Sequence, residues 1–252
     1  MPLGQKQWKD LLEKALHDRR ISLDAQPVVK TTDRNHLLHL EIFSRIIQED
    51  GAILSAGVFM PLAERLKLVS SIDRIVLEEV MQLDRNRLDV GSIAVNVSPA
   101  SLQDDSFRQW LESALKRLPQ TAPRIIFEFS EFTAIQNLDL VRDFSVLVRG
   151  YGHAMGLDHY GQSFSNLGYL KSMRPDYVKI DRAYTGELKN EESDSRFFIG
   201  SLCSVAHSID IMVIAEGVET EQQWQILREL NVDAIQGYVV DRPRSIREMV
   251  RK

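Results

Sequence analysis

The feature that most constrains the fold is a regular alternation of short apolar runs with longer segments of helical periodicity. Runs such as Ser92–Asn96, Arg124–Glu128 and Tyr177–Asp181 are rich in apolar residues, and each ends on a polar residue. Strands that alternate with helices through short loops indicate a mostly parallel β/α domain. Polar groups that follow parallel strands collect at the carboxyl face of a (β/α)8 barrel. We predict an α/β fold, a modified TIM (β/α)8 barrel, and we expect one of its strands to run antiparallel.

The predicted elements cover the chain without an internal domain break. Residues 1–20 contain an amphipathic helix, Gln5–Arg20, and residues 21–252 form the barrel domain. The helix either connects to upstream signalling domains or packs across the bottom of the barrel. The predicted strands are Ile21–Val29, Leu37–Ile42, Ser92–Val97, Arg124–Phe129, Ala154–Asp158, Tyr177–Ile180, Ile211–Ala215 and Ala234–Val239. The other predicted helical segments are Val58–Leu83, Phe107–Leu118, Asp139–Arg149, Phe164–Met173, Ser195–Ile209 and Thr220–Leu230.

Composition and charge favour a single domain in a reducing compartment. A chain of 252 residues with 44% apolar content suffices for one large core. The net charge of −5 argues against a nucleic acid polymer as the main partner. The single cysteine, Cys203, excludes an internal disulfide. We expect no membrane span in this chain and a cytoplasmic location, either as a soluble domain or as the cytoplasmic part of an inner-membrane protein.

Oxygen donors stand at the ends of four predicted strands. Hard cations such as Mg²⁺ prefer carboxylate and amide oxygens, so Glu41, Asn96, Glu128 and Asp158 together predict a metal site in the barrel mouth. A single strand-end Glu or Asn is more often a loop cap, and only the joint pattern carries this prediction. Lys179 sits on the next strand, where it can bind phosphate or position a water. Its alternative role is a solvated lysine paired with Asp181, which faces the same side of the strand.

The ordered motifs of the chain resemble those of the EAL domain family, the cyclic-di-GMP phosphodiesterases and their inactive relatives. The resemblance runs from about Ile21 to Pro243. The matching segments are Gln26-Pro27-Val28, Glu41-Ile42-Phe43-Ser44-Arg45, Phe59-Met60-Pro61-Leu62-Ala63-Glu64, Val95-Asn96-Val97-Ser98, Glu128-Phe129-Ser130-Glu131, Lys179-Ile180-Asp181, Glu216-Gly217-Val218-Glu219 and Gln236-Gly237.

The resemblance assigns roles to these residues. Active members use metal-bound water to cut one phosphodiester bond of cyclic-di-GMP, which gives linear pGpG. By resemblance, Glu41, Lys179 and Glu216 are the catalytic residues, and an active site of this kind holds Mg²⁺ or Mn²⁺. The implied metal ligands are Glu41, Asn96, Glu128 and Asp158. The implied ligand-binding residues are Gln26, Arg45, Asp158, Asp181, Glu219 and Gln236.

One position departs from the pattern of active members. The segment that begins Asp158-His159 stands where active relatives carry Asp-Asp-Phe-Gly-Thr-Gly-Tyr-Ser, so His159 replaces the second aspartate. In the family that aspartate helps to hold a second metal ion. Histidine replaces a hard anionic ligand with a nitrogen donor, which a softer ion such as Mn²⁺ or Zn²⁺ tolerates. Ser163, in place of a glycine, further restricts the loop.

Three functions are consistent with this sequence. The leading interpretation is a degenerate EAL domain, similar to LapD-type receptors, that binds cyclic-di-GMP and signals to attached domains, with the catalytic residues vestigial and no resident metal required. The second is an active metal-dependent phosphodiesterase in which His159 substitutes for the aspartate. The third is a protein-interaction module that binds no nucleotide. Expected partners are cyclic-di-GMP, upstream domains of the same polypeptide and a second copy in a homodimer.

Overall fold

The strands of the domain form one closed sheet. The structure, a computed structural model, describes residues 4–163, 168–189 and 194–250. Its strands are β1 (Ile21–Lys30), β2 (Asp33–Ile47), β3 (Ile53–Ser55), β4 (Ser92–Asn96), β5 (Arg124–Ser130), β6 (Ala154–Tyr160), β7 (Tyr177–Ile180), β8 (Met212–Ala215), β9 (Ala234–Ile235) and β10 (Arg244–Ser245).

The barrel closes through β1, which pairs with both β2 and β9. The order around the barrel is β1-β2-β4-β5-β6-β7-β8-β9, while β3 and β10 add to its edges. β1 runs antiparallel to both of its barrel neighbours, and the steps from β2 through β9 are parallel. The predicted modified TIM barrel with one antiparallel strand is therefore confirmed.

Helices surround this barrel and bury its outer face. They are α1 (Gln5–His17), α2 (Ala56–Arg65), α3 (Val69–Met81), α4 (Arg85–Leu88), α5 (Pro99–Gln103), α6 (Asp105–Lys116), α7 (Glu131–Gln136), α8 (Leu138–Gly150), α9 (Gly168–Met173), α10 (Arg182–Glu187), α11 (Ser195–His207), α12 (Glu221–Glu229) and α13 (Ile246–Met249). The start of the predicted helix Phe164–Met173 lies outside the described residues.

The N-terminal helix is part of the packed domain. Leu12 and Ala15 of α1 have no exposed surface and belong to the main hydrophobic core. Burying such side chains stabilises the docked helix. This contact supports the alternative in which the helix packs on the barrel, while a connection to upstream domains stays a prediction.

A second, smaller apolar layer fills the barrel interior and sets the height of the polar residues above it. Its buried members are Val28, Ala94, Ile126, Ala154, Tyr177, Ile214 and Ala234. Side chains on a strand alternate between its two faces, so the residue two positions later points the same way. Moving two residues toward the carboxyl end therefore replaces an apolar layer with a polar one. The polar residues reached by this step are Asn96, Glu128, Lys179, Glu216 and Gln236.

Two strands, β2 and β9, differ from the sequence prediction by more than two residues at an end. Glu41 does not end its strand, because β2 continues to Ile47 through antiparallel pairing with β1 and β3. The last barrel strand ends at Ile235 rather than Val239. Beyond it, Gly237 packs so closely on Val218 that a Cβ at this glycine would lie 2.1 Å from the Val218 carbonyl oxygen. That contact ends the strand and brings the chain back across the barrel mouth.

Candidate functional site

The centre of the site is a buried lysine held by three glutamates. Lys179 has no exposed surface. Its Nζ lies 2.7 Å from Glu41 Oε2, 2.9 Å from Glu216 Oε1 and 3.2 Å from Glu128 Oε1. These carboxylates come from three different strands or strand ends, so the barrel closure itself assembles the cluster. We call Lys179, Glu41, Glu128 and Glu216 the lysine centre.

The lysine centre places three carboxyl groups around one ammonium in a buried environment. Burial raises the pKa of Glu128 to about 8, although Lys179 opposes this shift. Burial likewise raises the pKa of Glu216 well above its usual range. Burial alone would lower the pKa of Lys179, but the surrounding carboxylates outweigh it and hold that pKa well above its usual value. Lys179 therefore carries its charge at neutral pH, and the raised pKa values of Glu128 and Glu216 mean that a bound cation would be needed to stabilise both as carboxylates.

Two amides fix Glu41 at this centre. Asn96 Nδ2 donates to Glu41 Oε1 at 3.0 Å, and Gln236 Nε2 donates to Glu41 Oε2 at 2.8 Å. With the lysine bond included, both carboxylate oxygens have partners, so the side chain is held in one orientation. The structure thus brings together Glu41, Asn96 and Gln236, as the sequence pattern suggested.

A layer of side chains that supports the lysine centre from beneath was not predicted from the sequence. The Tyr177 hydroxyl donates to Glu128 Oε1 at 2.5 Å. The His39 ring stacks on Tyr177 with centroids 5.1 Å apart. Gly156 makes room for that ring, since a Cβ there would lie 2.4 Å from Tyr177 Cε2. The only sequence signal was the alternation along β7, which places Tyr177 on the same face as Lys179.

His159 lies at the edge of the centre and is tied to a different carboxylate. Its Nδ1 is 2.8 Å from Asp181 Oδ2, and its Nε2 is 3.7 Å from Asp158 Oδ2. Asp181 also accepts from Gln162 Nε2 at 2.7 Å and from the Ala183 N–H at 2.8 Å, where it caps α10. Burial opposes ionisation of Asp181, but these donors outweigh it and lower its pKa. Asp181 therefore anchors His159, and Lys179 pairs with the three glutamates instead.

The donor set fits a divalent cation. Ligand atoms of Asp158, His159 and Glu216 all lie within 4.8 Å of one another. Among the described residues, these three side chains form the cluster of carboxylate and imidazole donors that could hold a metal ion. Glu41, Asn96 and Glu128 add oxygen donors nearby, and a bound ion would favour the ionised form of the buried carboxyl groups. A hard cation suits the oxygen donors, while the imidazole suits borderline transition ions. The sequence-predicted ligands Glu41, Asn96, Glu128 and Asp158 thus lie around one mouth.

A cavity of about 940 Å³ opens above the lysine centre. Gln26, Arg45 and Glu219, which the sequence resemblance assigned to ligand binding, line it together with Asp158 and Gln236. Arg45 is oriented by Asp24 on the neighbouring strand, with Nε 3.0 Å from Asp24 Oδ2. The lining residues that were not predicted from sequence include Phe43, Arg182, Lys189 and Tyr238. Their convergence depends on loop geometry that no local motif reveals.

The fold and site define a modified (β/α)8 barrel with an acidic mouth that can hold cations and an overlying small-molecule cavity. Among families of known proteins, the sequence matches the EAL domain over residues 9–243. The chain belongs to the EAL domain family. The resemblance stated from the motifs is thereby confirmed.

Curated relatives and solved structures extend this assignment. The bifunctional diguanylate cyclase/cyclic di-GMP phosphodiesterase MucR of Pseudomonas aeruginosa is 28% identical over 243 residues, which cover 95% of this chain and 35% of MucR. The cyclic di-GMP phosphodiesterase PdeF of Escherichia coli is 28% identical over 93% of this chain and 31% of PdeF. The chain thus spans about a third of the length of these curated relatives.

Two structures with bound nucleotide are similar across nearly the whole chain. The Vibrio cholerae LapD S helix-GGDEF-EAL structure bound to c-di-GMP has a TM-score of 0.86 and 30% identity, covering 96% of this chain and 58% of that one. The PaMucR phosphodiesterase in complex with c-di-GMP has a TM-score of 0.85 and 28% identity, covering 97% of this chain and 100% of that one. Over the ranges that the structure describes, no helix of this chain is long and apolar enough to cross a bilayer.

Proposed function

We propose that this domain binds cyclic-di-GMP in the cavity above the lysine centre and acts as a signalling receptor with little or no hydrolytic activity. The observation that carries the proposal is His159. It stands where active relatives resembling this chain have a second aspartate, while the cavity is lined by the ligand-binding residues Gln26, Arg45, Asp158, Glu219 and Gln236. Loss of one catalytic ligand beside an intact cavity favours binding over turnover.

The cavity has the chemistry that a cyclic dinucleotide requires. Its volume of about 940 Å³ lies in the range of roughly 300–1,000 Å³ for small-molecule sites. Arg45, Arg182 and Lys189 line it and offer positive charge to two phosphodiester groups. Phe43 and Tyr238 also line it and offer aromatic faces on which guanine bases can stack.

Weak turnover follows from the metal ligands available around His159, at the edge of the lysine centre. A pair of metal ions in a phosphodiesterase activates the attacking water and stabilises charge on the attacking and leaving oxygens. The second ion of such a pair is the one that the replaced aspartate helps to hold in the family. The imidazole of His159 supplies no negative charge with which to hold a hard ion such as Mg²⁺ at this position. The receptor function therefore requires no resident Mg²⁺ or Mn²⁺.

The proposed receptor acts together with other domains of a longer polypeptide. The receptor signals to upstream domains of the same polypeptide in the cytoplasm, and this is supported by curated relatives about three times as long as this chain. Helix α1, whose Leu12 and Ala15 pack on the core, is the direct physical route from the barrel to preceding segments. A homodimer is a further expected assembly.

A second candidate, a metal-dependent cyclic-di-GMP phosphodiesterase, is favoured by one specific observation. Asp158, His159 and Glu216 present three ligand atoms within 4.8 Å of one another. With a suitable ion bound there, the site retains a metal centre beside Lys179. This candidate predicts accumulation of linear pGpG, whereas the receptor leaves the nucleotide unchanged.

The test is calorimetric titration with cyclic-di-GMP, followed by chromatography of the recovered nucleotide. The wild-type chain should saturate near one ligand per chain and return the nucleotide intact. Arg45→Ala should weaken binding by roughly 10–100-fold, because a charge-assisted bond to phosphate is lost. Arg142→Ala is the matched control, since Arg142 pairs with Asp139 on the exposed face of α8. Equal affinities of the two variants, or no heat with the wild type, would contradict the proposal; the latter favours a nucleotide-independent interaction module.

A further inference from the structure

His159 places one nitrogen donor in an otherwise oxygen-rich mouth. Its Nε2 lies 3.7 Å from Asp158 Oδ2, and ligand atoms of Asp158, His159 and Glu216 lie within 4.8 Å of one another. Such a spacing lets one ion contact all three groups after small side-chain rotations, because metal–ligand bonds to N and O are about 2.0–2.2 Å long. The side chain of His159 is 45% exposed, so an ion can reach it from the cavity.

The orientation of the imidazole is that of a metal ligand. A carboxylate only accepts hydrogen bonds, so Asp181 at 2.8 Å fixes the proton of His159 on Nδ1. Nε2 then carries the lone pair, and it is the nitrogen that lies toward Asp158. A carboxylate behind a histidine that binds metal through its other nitrogen is a recurrent second-shell arrangement in metalloproteins.

The supporting carboxylate is itself rigidly held. Asp181 accepts from the Ala183 N–H at 2.8 Å and from Gln162 Nε2 at 2.7 Å. The His159 backbone adopts the left-handed conformation with φ of 58°, and its N–H donates to Asp158 Oδ1 at 2.7 Å. Left-handed backbone at a non-glycine residue is uncommon and concentrates at functional sites. The geometry at His159 is therefore fixed from both sides before any ion binds.

We propose that Asp158, His159 and Glu216 form a mixed nitrogen and oxygen site that selects a late first-row transition ion, Zn²⁺ or Co²⁺, over Mg²⁺. Imidazole strengthens binding of these ions, whereas Mg²⁺ prefers an all-oxygen set and gains little from it. The site lies in the mouth used by the proposed function, but its occupation does not depend on nucleotide binding. It gives this chain a metal preference that an Asp-Asp pair at the same position would not.

The test uses untagged, metal-free protein and no nucleotide. Titration with Co²⁺ should produce a visible absorption band that saturates at one ion per chain, and Zn²⁺ should displace it. Mg²⁺ at the same concentrations should leave the band unchanged, with an affinity at least about tenfold weaker. Displacement by Mg²⁺ as effective as by Zn²⁺ would overturn the proposal.

Two variants locate the ion. His159→Ala should reduce Co²⁺ affinity by at least tenfold, as expected for loss of a ligand. His207→Ala is the matched control, because the exposed His207 also pairs with an aspartate, Asp233, at 2.8 Å. Asp181→Asn should weaken binding by about 10–100-fold through the lost second-shell contact, which keeps the proposal testable if His159→Ala misfolds. Unchanged Co²⁺ binding in folded His159→Ala or in Asp181→Asn would contradict the assignment.

A separate titration distinguishes this proposal from the proposed function. Cyclic-di-GMP binding measured in EDTA reports on the receptor alone, and Co²⁺ binding measured without nucleotide reports on the ion alone. Loss of Co²⁺ binding with intact nucleotide binding would overturn only the metal site. Metal binding without nucleotide binding would overturn only the receptor.

Discussion

The lysine centre and the rim at His159 differ in how firmly the fold holds them. Lys179 is fully buried and contacts three glutamates that barrel closure brings together. His159 is 45% exposed in its side chain and sits on a segment whose main external anchor is Asp181. The centre is therefore part of the structure that keeps the barrel folded. The rim is a place where a residue can change chemistry at small cost in stability.

Under the proposed receptor function, this difference explains how the domain keeps its shape without turnover. Removing a charge from the lysine centre leaves buried partners without compensation, which destabilises the whole barrel. Replacing an acid at the rim removes a ligand that faces the cavity and solvent. Retention of Glu41, which a pure receptor does not need for catalysis, then follows from its contacts with Lys179, Asn96 and Gln236.

Removal of the central charge should give the largest difference in stability between the two regions. Lys179→Met should lower the free energy of unfolding by about 3–5 kcal/mol, because it leaves buried carboxylates unpaired. Lys189→Met is the matched control: Lys189 pairs with Glu219, but both side chains are 51% exposed, so its loss should cost below about 1 kcal/mol. Urea denaturation of both variants measures this contrast. Similar losses in the two variants would mean that Lys179 is not a structural charge.

Asp73 shows what a buried carboxylate does without an ammonium partner. Its carboxylate accepts from the Ser98 N–H and the Ser101 hydroxyl, but burial raises its pKa to about 7. Below about pH 4 it is protonated in both folded and unfolded chains, so it makes no difference to stability. Between about pH 4 and 7 only the unfolded chain releases the proton, so stability falls as pH rises, by on the order of 4 kcal/mol at most.

Asp73→Asn isolates this contribution. The asparagine oxygen can accept both hydrogen bonds, and it does not titrate. The difference in unfolding free energy between Asp73→Asn and wild type should therefore grow in favour of the variant from pH 4 to pH 7. Denaturation curves at several pH values measure it, and a difference that is independent of pH would contradict the assignment.

A smaller effect is expected from the layer that supports Glu128. Gly156→Ala places a methyl group against the Tyr177 ring, and overpacking of this kind costs about 1–3 kcal/mol. Tyr177→Leu in the same chain should relieve the clash, so the double variant should be less destabilised than the sum of the single variants. Strict additivity in thermal or urea denaturation would show that the two residues do not interact.

The barrel and most of its mouth could be predicted from the sequence because side chains alternate between the two faces of a strand, and this alternation is a local signal. It placed Lys179 and Glu128 on the inner face without any long-range information. The capping box of α12 is a local feature of the same kind, in which Thr220 and Gln223 satisfy each other's backbone donors. These features depend on residues close in sequence.

Features that depend on close packing between distant segments were not predicted. The position of Glu41 in mid-strand arises from antiparallel pairing of β2 with β1 and β3. The early end of β9 arises from the contact of Gly237 with Val218. The pairing of His159 with Asp181, 22 residues away, requires the loop geometry after β6. No local pattern encodes these distances.

The most direct test of the central account compares hydrolysis of cyclic-di-GMP by the wild-type chain and by His159→Asp in Mg²⁺. His207→Asp, the same substitution on the surface of α11, is the control. The wild type and the control should bind the nucleotide and return it intact, and His159→Asp should produce linear pGpG at least about tenfold faster. Rapid hydrolysis by the wild type, or a His159→Asp variant that binds but gains no activity, would contradict the central account.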